Sequence, residues 1–167
     1  MNSVIESAAA KIYYPAMRRL CLIVLLFAPL FPALADDAAH GKVLKVLPLL
    51  LDQNGNAAVS PSLFDRDAYQ FYLRQHTNLI SGVRFDIWWK ATKNQNLKLR
   101  AELRGIGAGG LPTRQILETN VVAGTFSRWD SMPLAGDDFQ KFGSLVAWRV
   151  TLWNGDEMLG QQQSFLW

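Results

Sequence analysis

From Val83 to Arg104 the chain alternates with a period of two, and this constrains its fold more than any other feature. Val83, Phe85, Ile87 and Trp89 share one face of an extended segment; Arg84, Asp86, Trp88 and Lys90 share the other. After Thr92-Lys-Asn-Gln-Asn96 the pattern restarts, with Leu97, Leu99, Ala101 and Leu103 against Lys98, Arg100, Glu102 and Arg104. Successive strand side chains point to opposite sides, so each segment is a strand with one buried and one solvated face. If the two strands pair as a hairpin, Asp86 falls opposite Arg100 and Arg84 opposite Glu102. That register also sets Ile87 on Leu99 and Trp89 on Leu97. A two-residue slip would place Asp86 against Glu102, so charge favours the first arrangement.

The rest of the chain punctuates in the same style. Lys42 to Leu51 is a Val- and Leu-rich first strand. Pro48, which cannot donate to a ladder, assigns that strand to a sheet edge or a bulge. Asp52 to Asn56 is a turn. Ser60-Pro61 reads as a helix cap followed by proline at the first helical position. Phe64, Ala68 and Phe71/Tyr72 continue at helical spacing, although Tyr69, Phe71 and Leu73 would also alternate as a strand. A helix from Pro61 to Arg74 is preferred. Gly105 to Gly110 is a loop, Gln115 to Val122 a strand, and Phe126 to Gly143 a long connection with a helical turn at Asp137-Asp-Phe-Gln140.

Ser144 to Trp167 closes the chain in a hairpin, with Val146, Trp148, Val150 and Leu152 predicted inward and Ala147, Arg149, Thr151 and Trp153 outward. Asn154-Gly155 is a strong two-residue turn signal, but it pairs Leu152 with Glu157 and Trp148 with Gln161. A four-residue turn pairs Leu152 with Leu159 and Trp153 with Met158, leaving Val150 against Gln161, and is preferred. Gln161-Gln-Gln163 is polar throughout, as an edge would be, and Phe165 and Trp167 share a face that ties the C-terminus to the domain. Six or seven short strands with turns every 8–12 residues or so describe an all-β, antiparallel, immunoglobulin- or fibronectin-III-like sandwich with one short inserted helix.

The first 35 residues read differently. Arg18 and Arg19 precede an apolar run, Leu20 to Phe27, broken by Pro29 and Pro32 and closed by Ala33-Leu34-Ala35 before Asp36-Asp37. A charged start, a short apolar stretch and small residues at the cleavage position make a secretory signal peptide, with Ala33, Ala35 and Asp36 at the cut. The run is too short for a membrane span of about 20 residues, and Met17 offers an alternative start. Cys21, the one cysteine of the 167 residues, lies early in the apolar run rather than after it, where a lipid anchor would need it. The chain therefore divides into a leader, 1–35, and a single exported domain, 36–167, periplasmic or secreted and without disulfides. Of the 17 basic and 14 acidic side chains, Lys11, Arg18, Arg19 and Glu6 belong to the leader. The domain keeps 14 and 13, a net charge of +1, which excludes nucleic acid or an anionic membrane as an implied partner.

Catalytic chemistry is poorly provided for. The domain holds two histidines, His40 and His76, both assigned to solvated positions, and no thiol. No serine stands in a Gly-x-Ser-x-Gly elbow. Asp52-Gln-Asn54-Gly-Asn56 starts like a calcium loop, yet its glycine stands at position 4 and Leu63 occupies position 12. An Asx turn accounts for the same residues. Gly105-Ile-Gly-Ala-Gly-Gly110 lacks the following helix and lysine of a phosphate loop. No cofactor or metal is implied.

Tryptophan is the outlier: Trp88, Trp89, Trp129, Trp148, Trp153 and Trp167 all fall after the leader. Adjacent Trp88 and Trp89 must face opposite ways on a strand. Trp88 is either covered by the helix or a loop, or stands as an exposed platform among Arg84, Asp86, Lys98 and Arg100. The candidate ligand-binding residues are Trp88, Trp153, Arg84 and Arg100. The leading expectation is a non-enzymatic module that binds a macromolecule, protein or glycan, through a face or edge of the sandwich. A carbohydrate-binding module using Trp88 or Trp153 is the alternative, and an enzyme with dispersed carboxylates such as Asp86 and Glu102 a third.

Overall fold

The structure, a computed structural model, describes residues 40–92 and 96–167. The leader and its cleavage positions Ala33, Ala35 and Asp36 lie outside the described residues. Seven strands form two antiparallel sheets: β1 (Gly41–Asp52), β2 (Ile80–Ala91), β3 (Leu97–Ile106), β4 (Pro112–Val121), β5 (Arg128–Ala135), β6 (Ser144–Asn154) and β7 (Glu157–Gln163). Helix α1 (Leu63–Gln75) lies between β1 and β2, and α2 (Gly136–Phe142) between β5 and β6. One sheet has the order β1-β2-β5 and the other β4-β3-β6-β7. The result is an all-β, sandwich-like fold.

The period-two pattern places the core as expected. Val83, Phe85, Ile87 and Trp89 of one sheet and Leu97, Leu99, Ala101 and Leu103 of the other are buried in one cluster with Val150 and Leu152. Trp89 meets the requirement that a buried indole N–H find an acceptor by donating to Asp130 Oδ2 at 2.7 Å. The hairpin register, however, is overturned. β2 pairs with β1 and β5, whereas β3 pairs with β4 and β6. The two alternating strands face each other across the core instead of lying side by side. Their charges find other partners: Arg84 with Asp86 on its own strand, Arg100 with Glu118, and Glu102 with Arg149.

Five further expectations are corrected. The connection from Phe126 to Gly143 contains a strand, β5, paired along β2. The helix cap is Ser62 rather than Ser60: Ser62 Oγ accepts the N–H of Asp65, while the Ser60 hydroxyl bonds the Asp65 carboxylate. A register shift in the β3–β6 ladder, where Arg104 faces Ala147 and Gly105 faces Leu145, turns Val146 outward and buries Ala147. In the closing hairpin Trp153 does face Met158, but a second shift sets Leu152 opposite Gly160 and Val150 opposite Gln162. Phe165 is fully exposed and does not pack against the domain.

Helix α1 departs furthest from its amphipathic reading. Its apolar residues Phe64 and Phe71 are 81% and 60% exposed, while Gln70 and Leu73 face inward. Gln70 meets the edge of β1: its Oε1 accepts Leu50 N–H at 2.8 Å, and its Nε2 reaches the carbonyls of Leu50 and Ala57 at 2.9 Å each. One side-chain amide thus satisfies backbone groups that a neighbouring strand would otherwise supply. Earlier in β1, Leu44 falls out of register with β2, and its carbonyl accepts Nε2 of Gln162 on β7. Gly160 lies against Gly41, Lys42 and Val43 at distances that leave little room for a Cβ, so glycine there lets β7 approach β1 closely.

Candidate functional site

The strand pairing sorts the four candidate residues into two sets, on the outer faces of different sheets. Trp88 and Arg84 stand outward on β2, at the centre of the three-stranded sheet. Trp153 and Arg100 stand outward on the four-stranded sheet, on β6 and β3.

On the first face Trp88 lies directly across from Trp129 of β5. The two indoles are nearly parallel, 9° apart, with ring centroids 5.9 Å from one another. Trp88 is 37% exposed and Trp129 50%. Trp88 is therefore an exposed aromatic surface, paired with a residue that its own sequence neighbourhood does not reveal. Lys45 of β1 flanks it on the other side. Two residues along β2, Arg84 grips Asp86 with Nε at 2.8 Å and Nη2 at 3.0 Å. Ser131 donates to the same carboxylate at 2.7 Å. The polar groups beside the stack are thus held in one arrangement by charge-assisted bonds.

On the second face Arg100 covers the Trp153 ring, its guanidinium carbon 5.4 Å from the ring centroid. The Trp153 N–H donates to Thr151 at 2.8 Å. Glu118 of β4 bridges Arg100 at 2.6 Å and Lys98 at 3.0 Å. Those bonds hold the Glu118 carboxyl below the usual carboxylate range, the one from Lys98 contributing most. Trp153 is thereby partly occupied by its own neighbours. Further along, the Trp167 ring lies 4.0 Å from the guanidinium of Arg104 and 4.8 Å from that of Arg149.

The two carboxylates considered for dispersed catalysis, Asp86 and Glu102, stand on different sheets and both point outward, so they do not converge. His76 is exposed and stacks on Tyr72, and His40 is exposed near the start of β1. Asp52 forms the Asx turn: its Oδ1 accepts the N–H groups of Asn54 and Asn56, each at 2.8 Å, and its Oδ2 the Tyr69 hydroxyl at 2.7 Å. Between the sheets a cavity of about 480 Å3 has Pro48, Leu50, Ile80, Val83 and Leu145 among its walls, together with Arg74. None of its lining side chains is a carboxylate, histidine or cysteine.

No protein-family model, curated protein or solved structure matches the chain.

Proposed function

We propose that the domain is an exported, non-enzymatic binding module of the immunoglobulin or fibronectin-III type. It takes a partner protein on the outer face of the three-stranded sheet. The strand order supports the fold type: strands 1, 2 and 5 oppose strands 4, 3, 6 and 7, the arrangement of a Greek-key sandwich with a switched fourth strand. The charged, apolar and small-residue pattern of positions 18–36 supports export.

The observation that carries the binding reading is the Trp88–Trp129 stack. Two large indoles half in solvent are out of place on a monomer's surface unless something covers them. Tryptophan is among the residues most enriched at interface hot spots, where a rigid aromatic anchor is ringed by polar groups. Here the ring is Lys45, Arg84, Asp86 and Ser131, with Arg84, Asp86 and Ser131 already bonded to one another. Because each indole turns a face toward the other, the pair offers edges and outer faces rather than one flat table. That geometry favours a protein surface over a sugar ring.

Trp88→Ala and Trp129→Ala test this reading in cross-linked pull-downs from the exported fraction, run beside a glycan array. Each variant should keep its far-ultraviolet circular dichroism and lose about 0.5–1.5 kcal/mol of stability from the stack, while losing the captured protein partner. Undiminished capture by both folded variants refutes the assignment. A glycan signal abolished by Trp88→Ala transfers the face to the carbohydrate reading, which the adjoining Arg84 and Asp86 would serve as hydrogen-bonding groups.

A further inference from the structure

We propose that the outer face of the four-stranded sheet binds a tetrahedral oxyanion, a phosphate or sulfate group, between Arg104, Arg114 and Arg149 beside the ring of Trp167. This site lies on the sheet that does not carry Trp88 and Trp129, and stands or falls independently of them.

Arg104 on β3 faces Arg114 on β4 directly across the ladder. Like charges in that position repel, because directly opposed side chains start only about 5 Å apart. Among the described residues no carboxylate lies within 4.0 Å of either guanidinium. On β3's other side the residue opposite Arg104 is Ala147, which is buried and carries no charge. Arg149, two positions further along β6, completes the triangle.

Trp167 organises two of the three cations. Its ring faces Arg104 at 4.0 Å and Arg149 at 4.8 Å, so both guanidinium groups are held against one rigid surface. Arg149 gives Nη2 to Glu102 Oε2 at 2.7 Å, but its Nε is buried and has no partner. A groove of about 310 Å3 runs between Glu102, Arg104, Arg114, Ile116, Arg149 and Trp167.

The charge balance of the face favours an anion. β3, β4 and β6 present Lys98, Arg100, Arg104, Arg114 and Arg149 outward, against Glu102 and Glu118. Glu118 is engaged by Lys98 and Arg100, and Glu102 by Arg149. The surplus therefore concentrates at Arg104 and Arg114. Guanidinium forks match phosphate and carboxylate oxygens alike. The forks of Arg104 and Arg114, from adjacent strands and with Arg149 beside them, present more donors than one planar carboxylate engages face-on, and a tetrahedral oxyanion has the oxygens to meet both.

The test is titration of the intact protein with inorganic phosphate, inorganic sulfate and acetate at matched ionic strength, followed by tryptophan fluorescence and calorimetry. Phosphate or sulfate should give a saturable response, and acetate a much weaker one. The tighter of the first two identifies whether the natural group is a phosphate or a sulfate. Arg104→Gln and Arg114→Gln should each weaken binding about tenfold or more, since each removes a charge-assisted fork. Arg66→Gln, on α1, should leave binding unchanged. Arg114 lies on an edge strand, so its variant carries the test even if Arg104→Gln fails to fold. The proposal is overturned by a response that does not saturate, by acetate binding as tightly as both tetrahedral anions, or by wild-type affinity in folded Arg114→Gln, which would mean an adventitious ion only.

Discussion

Asp52 makes the turn after β1 sensitive to acid. Burial is the largest influence on its carboxyl and pushes its pKa upward, but the hydrogen bonds from Asn56, Tyr69 and Asn54 together outweigh it and hold the group below its ordinary 3.8. A carboxyl depressed on folding adds stability above its unfolded pKa and loses that contribution as pH falls through the folded value. The Asp52 contribution should therefore fade from about pH 4 downward. Asp52→Asn keeps an oxygen for the Asn54 and Asn56 N–H groups but cannot titrate. Urea midpoints followed from about pH 5 to about pH 2 should fall less steeply in this variant than in the wild type. On the alkaline side, its hydrogen bond to Asp52, with burial adding to it, raises the Tyr69 hydroxyl above its ordinary 10.0. The stability this bond adds is thus fully present below that value and disappears only as pH rises through the raised one.

The elements divide into those that declare themselves and those that need their neighbours. β2 and β3 are plain in the sequence because hydrophobic alternation is a local property. What they pair with is not local, and the charge pairing that suggested a hairpin is satisfied equally well along one strand, as Arg84 and Asp86 show. β5 is hidden for a related reason. Asp130, Met132 and Leu134 do alternate inward, but Pro133 sits among them and reads as a break. As β5 is the edge of its sheet, the missing donor is tolerated. The candidate site followed the same rule: Trp88 is legible because Trp89 beside it must face the core, whereas its partner Trp129 depends on β5 lying against β2. Arg104, Arg114, Arg149 and Trp167 likewise meet only once three strands and the C-terminal segment are assembled. Helix α1 is legible as a helix but not in its orientation, since spacing alone does not tell that Gln70, rather than the phenylalanines, faces inward. Gln70→Ala should cost about 2–3 kcal/mol in urea unfolding by leaving the Leu50 backbone groups unsatisfied. Phe71→Ser on the same helix should fall within about 0.5 kcal/mol of wild type.

At the scale of the molecule, stability rests on the contact between two inner faces, not on either hairpin. Phe85, Ile87 and Trp89 descend from one sheet onto Leu99, Leu103 and Leu152 of the other, with none more than 1% exposed. Leu99→Ala, at the middle of that layer, should cost about 2–5 kcal/mol and lower Tm accordingly, as calorimetry would record. The same layering separates the two proposed ligand surfaces by the full thickness of the domain, so one molecule can hold an oxyanion and a protein partner together. The contact between Leu44 and Gln162 joins positions 118 apart in sequence. β1 can pair with β2 early, but the flank it shares with β7 stays open until β7 is in place. The two sheets are therefore stitched together on that side by side-chain and glycine contacts between β1 and β7, not by a continuous ladder.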